Sequence, residues 1–260
     1  MVGHARPDDP PQAICYPNER LFLEGLVHRI REIDPDVLTG WNVVDFDLPV
    51  LSRRCDAHGV IFNPGRTREA AWYRESRVWG GSRMVIYGRQ VLDALHMIRA
   101  TLLKFDDYRL GTVAQALLGR GKTLEAADDE GMAERIHRAY LEDRQAFCAY
   151  CLEDARLVQD IIEQEGLIRL TVRRTILTGL PMERVWGSIA PFETMYISEL
   201  HQRGMVAPTV GVDRTNRGGS PGGLIISPQA GLYPHVWVFD FRSLYPSIMR
   251  TFNIDPLAYI

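Results

Sequence analysis

The sequence predicts a protein of the α/β class, because segments typical of buried strands alternate with amphipathic helices over its first half. Apolar residues recur at helical spacing in the segment that follows Asn18. The short run DVLTGW, typical of a buried strand, comes next, and helical spacing returns in FDLPVLSRRCDAHGV. A strand that leads directly into a helix is a unit from which α/β folds are built.

Each further element of this first part has a local signal. The first helix stops at Pro35. Its apolar residues at helical spacing are Leu21, Phe22, Leu26, Ile30 and Ile33. Two short strands are predicted to turn at Gly88, and the helix LGTVAQALLG ends at Gly119. A loop over Asp128–Glu134 and a long helix from Glu142 to Glu165 complete this part.

The pattern changes after Gly166, which predicts a domain boundary. A second helical stretch is interrupted at Gly179 and Pro181 and continues to Gly204. The segment RTNRGGSPGGLIISPQAG predicts a loop or linker, and HVWVFDFRSLYPSIMRTFN predicts a strand that leads into a helix. We therefore expect two domains, residues 1–165 and 166–260.

Composition sets limits on the class of protein. The 260 residues are 46% hydrophobic and carry a formal net charge of −3, so the overall charge does not indicate a nucleic-acid partner. Arginines are dense between Arg53 and Arg99, which fits either a phosphate-facing patch or a solvated loop. Four cysteines, no signal peptide and no apolar run of about 20 residues predict a soluble cytosolic protein without a membrane partner.

The segment FCAYCLEDARLVQD contains two motifs with different chemistry. Cys148 and Cys151 form a C-x-x-C pair, but no second pair completes a tetrahedral metal site, so packing cysteines are expected.

Tyr150 and Asp154 form the second motif of this segment, Y-x-x-x-D. Helical spacing puts seven side chains on one predicted buried face: Phe147, Tyr150, Cys151, Asp154, Val158, Ile161 and Ile162. Cys151 should therefore line the site and Cys148 turn away. A buried carboxylate needs a cation or hydrogen bonds, so Asp154 is either a ligand or a structural cap.

A second carboxylate follows the predicted strand in GWNVVDFDL. Asn42 and Asp47 come at the end of this strand, which is where α/β folds bind ligands. Asp47 could instead cap the next helix. Together with Asp154 it could form an oxygen site for the divalent cations of phosphoryl transfer.

Three motifs carry a resemblance to a known family. N-x-x-x-F-D at Asn42–Asp47 and Y-x-x-x-D at Tyr150–Asp154 resemble the second and third motifs of a proofreading 3′–5′ exonuclease. DFRSLYPSI at Asp240–Ile248 closely resembles the first palm motif of family B DNA polymerases, particularly of their bacterial branch. The resemblance implies an RNase H-like (DnaQ-like) exonuclease domain that lacks its first strands, then a helical linker and the first strand and helix of a polymerase palm.

The resemblance also implies roles for the exonuclease motifs. Asp47 and Asp154 would hold the catalytic metals, and Tyr150 would orient the attacking water. Asn42 and Phe46 would contact the unpaired primer end. The position of Asp93 is not a principal metal ligand in the family, and its place between strand and helix predicts a cap.

In the palm motif, Asp240 and the carbonyl of Phe241 would bind the polymerase metals. The backbone amides of Ser243, Leu244 and Tyr245 would meet the triphosphate, as N–H groups at a helix start can. Tyr245 would also exclude a 2′-hydroxyl as a steric gate.

The implied ligands and partners follow from the same family. Ser220, Gly222 and Gly223 would approach DNA phosphate, although a flexible linker is the alternative. Each complete active site would use two Mg²⁺ or Mn²⁺ ions. Primer–template DNA, a single-stranded primer end, deoxynucleoside triphosphates and a sliding clamp bound through a later part of the polymerase are the expected partners, in the bacterial cytoplasm at the nucleoid.

Some family motifs do not occur in this sequence. No D-x-E precedes Asn42, and neither the lysine motif of the fingers nor the palm D-T-D pair occurs before Ile260. We therefore expect the chain on its own to be inactive. A natural split polymerase subunit that needs a partner chain is one alternative, and a free-standing RNase H-like nuclease is another, weaker one.

Overall fold

The computed structural model describes residues 1–7, 9–76, 81–121, 131–207, 224 and 226–254. Its contacts divide the chain into two units, Met1–Tyr196 and Ile197–Ile260. The contact boundary lies between Tyr196 and Ile197, and the domain division expected after residue 165 stays a prediction.

The first βα unit forms as the sequence predicts. It consists of α1 (Glu19–Ile33), β1 (Val37–Gly40), a π-helix (Val43–Asp47) and α2 (Leu48–Ala57). The Asn18 side chain caps α1 by accepting the Leu21 N–H at 3.0 Å. However, α1 buries Leu23 and Val27, whereas Leu21 and Ile33 are exposed. The prediction that Leu21 and Ile33 lie on the buried face was therefore wrong. Apolar residues occur on more than one side of α1, and only one side packs against the core.

A parallel strand pair fixes the position of the site. The strands β2 (Trp72–Arg74) and β3 (Arg83–Val85) pair antiparallel, and β4 (Gln90–Asp93) pairs parallel with β1. The predicted turn at Gly88 is confirmed by its φ of 81°, which glycine adopts without strain. Because Gly40 lies opposite Asp93, the segments that follow β1 and β4 leave the pair side by side.

Helices dominate the rest of the first unit. They are α3 (Ala94–Arg99), α4 (Leu110–Leu118), α5 (Met132–Glu142), α6 (Arg144–Gln164) and α7 (Leu167–Thr178), with α8 (Ile189–Gln202) reaching past its end. The long helix expected from Glu142 to Glu165 is confirmed as α6, and Gly119 ends α4 in the left-handed conformation. The predicted loop over Asp128–Glu134 was wrong from Met132 to Glu134, which lie in α5, while residues 122–130 lie outside the described part.

Two apolar clusters hold these elements together. One joins α6 to α3 and α4 through fully buried side chains, among them Ile98, Val113, Leu157 and Ile161. The other joins α1, the π-helix, α2 and the strands through Leu23, Val44, Leu48, Met84 and Val91. The β1–β4 pair therefore contacts both apolar clusters. The loops that follow the two strands are anchored to this packed core.

The second unit contains the predicted helix but not the predicted strand. The helix α9 spans Leu244–Phe252, whereas residues 234–241 form no strand. Trp237 and Phe239 in this segment are 80% and 85% exposed. A strand needs a hydrogen-bonded neighbour, and the described part of this unit contains none. Across the described ranges, no helix combines the length and apolar character needed to cross a bilayer.

Candidate active site

Asp47 and Asp154 line the same cleft, although they lie 107 positions apart in the sequence. The cleft has a volume of about 730 Å³. One wall follows β1 and the loop after it, and the other follows the second half of α6. The structure therefore brings the carboxylate predicted at the end of a strand and the carboxylate predicted on a helix face into one cleft.

The turn before Asp47 has an unusual backbone. Asn42 adopts a left-handed conformation with φ of 64°, and the π-helix begins at the next residue. The Phe46 N–H donates to the Asn42 carbonyl at 3.0 Å. Single π-helical turns are rare and often occur at functional sites. This turn leaves Phe46 60% exposed and delivers Asp47 to the cleft.

Asp47 does not act as a helix cap. Its side chain makes no capping hydrogen bond to α2, and its backbone is already helical. Burial by neighbouring protein raises the pKa of the Asp47 carboxyl, and the charge of Asp93 adds to this, while a hydrogen bond from its own backbone amide opposes it. Asp47 is nevertheless exposed, and a carboxylate that is open to the cleft beside a second negative charge is electrostatically suited to bind a cation.

The α6 side of the cleft differs in part from the expected face. Asp154 is partly buried and Tyr150 is only 7% exposed, but Tyr150 does not line the cleft. The expectation that Cys151 lies on the buried face was wrong, because Cys151 is exposed and Cys148 is partly buried. The buried stripe instead runs through Leu157, which the sequence reasoning missed.

The Cys151 thiol is poorly suited to bind a metal or to act as a nucleophile. Desolvation raises the pKa of the Cys151 thiol, and the nearby Cys148 and Asp154 add to this. A thiol with a raised pKa stays protonated, whereas metal binding and nucleophilic attack need the thiolate. The oxygens of this helix, rather than its sulfurs, are therefore the candidate ligands.

Asp93 and His96 form hydrogen bonds to the turn at residues 42–45. The sequence did not predict these contacts. Asp93 caps α3 as predicted, accepting the N–H groups of Leu95 and His96. It also accepts the backbone N–H groups of Asn42 and Val44. The parallel pairing of β1 with β4, had it been predicted, would have indicated this neighbourhood.

The predicted site residues of the palm motif are exposed in the part of the chain that the structure describes. Phe241 and Tyr245 are each 76% exposed, and Asp240 is exposed as well. Ser243 begins α9 with φ of 53° and makes no side-chain capping bond. The predicted DNA-contacting residues Ser220, Gly222 and Gly223 lie outside the described residues. The roles predicted for the palm motif stay predictions.

Several arginines of the dense segment serve internal contacts. Arg54 pairs with Glu19, and Arg66 pairs with Asp34. The Arg89 side chain is 1% exposed and binds Asp34 together with backbone carbonyls. For these three arginines the contacts indicate a structural role rather than contact with phosphate.

The donor set fits part of a divalent-cation site. Asp47 and Asp154 offer the carboxylate oxygens that such ions prefer. Within the described ranges, no group of three or more His, Cys, Asp and Glu side chains is placed to hold a metal. These two carboxylates could bind an ion together with water, substrate or further ligands.

Comparison with known proteins identifies the family of the chain. Residues 3–113 match the model of the DNA polymerase family B exonuclease domain, and residues 187–258 match that of DNA polymerase family B. The chain is 36% identical to DNA polymerase II of Escherichia coli (strain K12), over 92% of its own length and 30% of that protein.

More distant relatives cover the chain to a similar extent. It is 28% identical to a DNA polymerase of Thermococcus sp. (strain 9oN-7), over 95% of the chain and 32% of that protein. It is 27% identical to the DNA polymerase delta catalytic subunit of Caenorhabditis elegans, over 98% of the chain and 24% of that protein. The chain thus spans about a third or less of the length of these curated relatives. Two models of one family together match well over half of it, and the chain belongs to the family B DNA polymerases.

Proposed function

We propose that this chain is part of a DNA-directed DNA polymerase with a 3′–5′ proofreading exonuclease. The observation that carries the proposal is the shared cleft of Asp47 and Asp154, in a chain that matches both the exonuclease and the polymerase models of family B. The RNase H-like fold expected for the exonuclease domain agrees with the parallel β1–β4 pair and its flanking helices.

In this proposal the cleft is the exonuclease site. Asp47 and Asp154 hold divalent ions, Mg²⁺ or Mn²⁺, which stabilise the attacking and leaving oxygens of a phosphodiester when bound. The exposed ring of Phe46 offers a surface on which an unpaired terminal base can stack, and Asn42 lies at the start of the same turn. Tyr150 lies one helical turn before Asp154 on α6 and is the residue proposed to orient the attacking water, although its side chain does not line the cleft.

The palm motif supplies part of the separate polymerase site. Asp240 and the carbonyl of Phe241 bind its metal ions. The N–H groups of Ser243, Leu244 and Tyr245 lie at the N-terminus of α9, where unpaired amides favour a phosphate. The exposed Tyr245 ring is free to pack beneath the incoming sugar and exclude ribonucleotides.

The partners follow from these two sites. They are primer–template DNA, a single-stranded primer end and deoxynucleoside triphosphates, with Ser220, Gly222 and Gly223 contacting DNA phosphate between the two sites. A sliding clamp and a location at the bacterial nucleoid belong to the same proposal. The relative from Escherichia coli supports the bacterial setting.

We further propose that the 260-residue chain neither excises nor polymerises when it acts alone. Two carboxylates are fewer ligands than a pair of divalent ions needs. Mg²⁺-dependent release of nucleotides from single-stranded DNA by the purified chain, abolished in Asp154→Ala, would contradict this part.

The proposed exonuclease site can be tested directly on this chain with Mn²⁺ as the probe. Bound Mn²⁺ broadens the NMR signals of nearby amides, so we expect selective broadening around Asp47 and Asp154. Asp154→Ala should abolish it. Asp160→Ala is the matched control, because Asp160 lies on the same helix, pairs with Arg120 and does not line the cleft. Equal broadening in Asp154→Ala and the unchanged chain would remove the metal site from the cleft.

The proofreading role requires a complete polymerase that contains this chain. There, Asp154→Ala should abolish excision of a mismatched 3′ end and leave primer extension intact, whereas Asp240→Ala should abolish extension and leave excision intact. Loss of both activities together in both variants, with the protein folded, would contradict two separate sites.

A further inference from the structure

The carboxylate of Asp93 joins two segments that meet at the candidate exonuclease site. Asp93 is only 4% exposed and ends β4. Its Oδ1 accepts the N–H groups of Leu95 and His96, at 3.0 and 3.4 Å, in its own helix α3. The same oxygen accepts the Asn42 N–H at 3.1 Å, and Oδ2 accepts the Val44 N–H at 2.9 Å. Four backbone donors therefore converge on one buried side chain.

Helix capping alone does not account for this arrangement. A capping side chain satisfies orphan N–H groups at the start of its own helix, and one oxygen is sufficient for that. Here Oδ2 is used by Val44, which belongs to the π-helix rather than to α3. Hydrogen bonds to a charged acceptor are stronger than neutral ones, so the carboxylate restrains the backbone of the turn at two points.

The two restrained N–H groups lie where the backbone is least regular. Asn42 has a positive φ, which costs a non-glycine residue energy, and Val44 is in the first part of the π-helix. Such a conformation persists only when its surroundings hold it. Asp47 ends the same short π-helix, so the restrained backbone from Asn42 to Val44 leads directly to the carboxylate that lines the cleft.

A second contact from the same junction holds the outer side of the turn. The Nε2 atom of His96 lies 2.9 Å from Oδ2 of Asp45, and the Tyr73 hydroxyl donates to Oδ1 of Asp45 at 3.2 Å. Asp45 is in the middle of the π-helix. The β4–α3 junction therefore contacts the turn through its backbone and through one of its side chains.

We propose that Asp93 is a positioning residue for the exonuclease site: its carboxylate fixes the turn from Asn42 to Val44 and thereby sets the place of Asp47 in the cleft. The inference rests on the function proposed above for Asp47 and Asp154. Asp93 does not contact the cation or the DNA in this account, and it acts through the backbone of its neighbour.

One substitution separates positioning from capping. In Asp93→Asn the amide oxygen can keep the place of Oδ1, so the cap of α3 and the Asn42 contact remain, and asparagine caps helices as well as aspartate does. The amide nitrogen then occupies the place of Oδ2 and presents a donor to the Val44 N–H, which is also a donor. A residue that only caps α3 should tolerate this change, whereas a positioning residue should not.

The experiment uses the 260-residue chain with Mn²⁺ as the probe. For Asp93→Asn we expect an unchanged α3, amide hydrogen exchange at Val44 that is faster by roughly tenfold, and shifted amide signals from Val44 to Asp47. The dissociation constant for Mn²⁺ at the cleft should rise about tenfold, as when an outer partner of a metal ligand is removed. Asn18→Ala is the control, because it removes a cap from α1 and should leave Mn²⁺ binding unchanged.

The outcomes distinguish this inference from the function on which it rests. Unchanged Val44 exchange and unchanged Asp47 signals in Asp93→Asn would overturn the positioning role, even with weaker Mn²⁺ binding, because the lost charge alone would then explain the weakening. If Asp154→Ala fails to alter Mn²⁺ broadening, the proposed site fails. In that case the signals of Val44 and Asp47 still decide whether Asp93 holds the turn.

Discussion

Asp154 and Asp240 both belong to motifs that resemble those of one family, yet their surroundings differ completely. Asp154 is on α6, whose neighbours Leu157 and Ile161 are fully buried, and it shares a cleft with Asp47. Asp240 is exposed, follows a segment without a strand, and precedes a helix that buries no residue. A motif identifies the chemistry a residue is suited for, but packing from distant parts of the chain determines whether a site exists around it.

The largest difference in stability between the two regions is expected when a large side chain is removed from each. Ile161 is 0% exposed in the core around α6, so Ile161→Ala should lower the free energy of unfolding by about 2–5 kcal/mol. Trp237 is 80% exposed, so Trp237→Ala should change it by at most about 0.5 kcal/mol. Urea denaturation followed by circular dichroism measures both. A large loss in Trp237→Ala would show that the segment around Trp237 is packed in solution.

A buried hydroxyl provides the next largest effect. Thr171 is 0% exposed, donates to the Leu167 carbonyl at 2.7 Å and accepts the Trp186 indole N–H at 2.9 Å. Thr171→Val leaves that N–H without its partner and should cost about 1–3 kcal/mol. Thr251→Val, on the exposed α9, is the matched change and should cost almost nothing. Similar losses in the two variants, measured by urea denaturation, would contradict the contrast.

Much of the first unit could be predicted from local patterns. The cap at Asn18, the turn at Gly88 and the end of α4 at Gly119 each depend on a few adjacent residues, and the structure confirms them. The strand expected before Asp240 was wrong because a strand depends on a partner, which local hydrophobicity does not report.

The candidate site could be predicted only in part for the same reason. Asp47 and Asp154 were identified from spacing and resemblance, and both line the cleft. The π-helix at Val43–Asp47 and the bonds from Asp93 to the turn were missed, since they arise from the register of β1 against β4. The burial predicted for Cys151 was wrong, because helical periodicity shows which residues share a face of the helix but not how much of that face a neighbouring element covers.

Helix caps give a smaller effect that differs between the regions. The Asp143 side chain accepts the Ala146 N–H at 2.9 Å at the start of α6, so Asp143→Ala should lower the free energy of unfolding by about 1 kcal/mol. Ser243 starts α9 without a side-chain capping bond, and Ser243→Ala should leave stability unchanged. Thermal unfolding compares the pair. Destabilisation by Ser243→Ala would indicate that α9 has a cap in solution.

The smallest expected effect is an ion pair that depends on pH. Arg54 and His58 on the α2 side bind Glu19 at the start of α1, whereas residues 226–254, as far as they are described, form no ion pair. Hydrogen bonding to Arg54 is the main cause that lowers the pKa of Glu19 from 4.5 to about 2. A carboxyl whose pKa is lower in the folded state stabilises the fold above its unfolded pKa, and this contribution is lost as the pH falls.

We therefore predict that Glu19→Gln lowers the melting temperature slightly above pH 4.5, and that the difference from the unchanged chain disappears as the pH falls to about 2. Glu24→Gln is the control on the same helix. Glu24 pairs with the exposed Arg20 one turn away, and such pairs contribute about 0.3–0.5 kcal/mol to the stability of a helix. Thermal unfolding at a series of pH values measures both variants. If the effect of Glu19→Gln were independent of pH, the contact between α1 and α2 would depend on packing rather than on this charge.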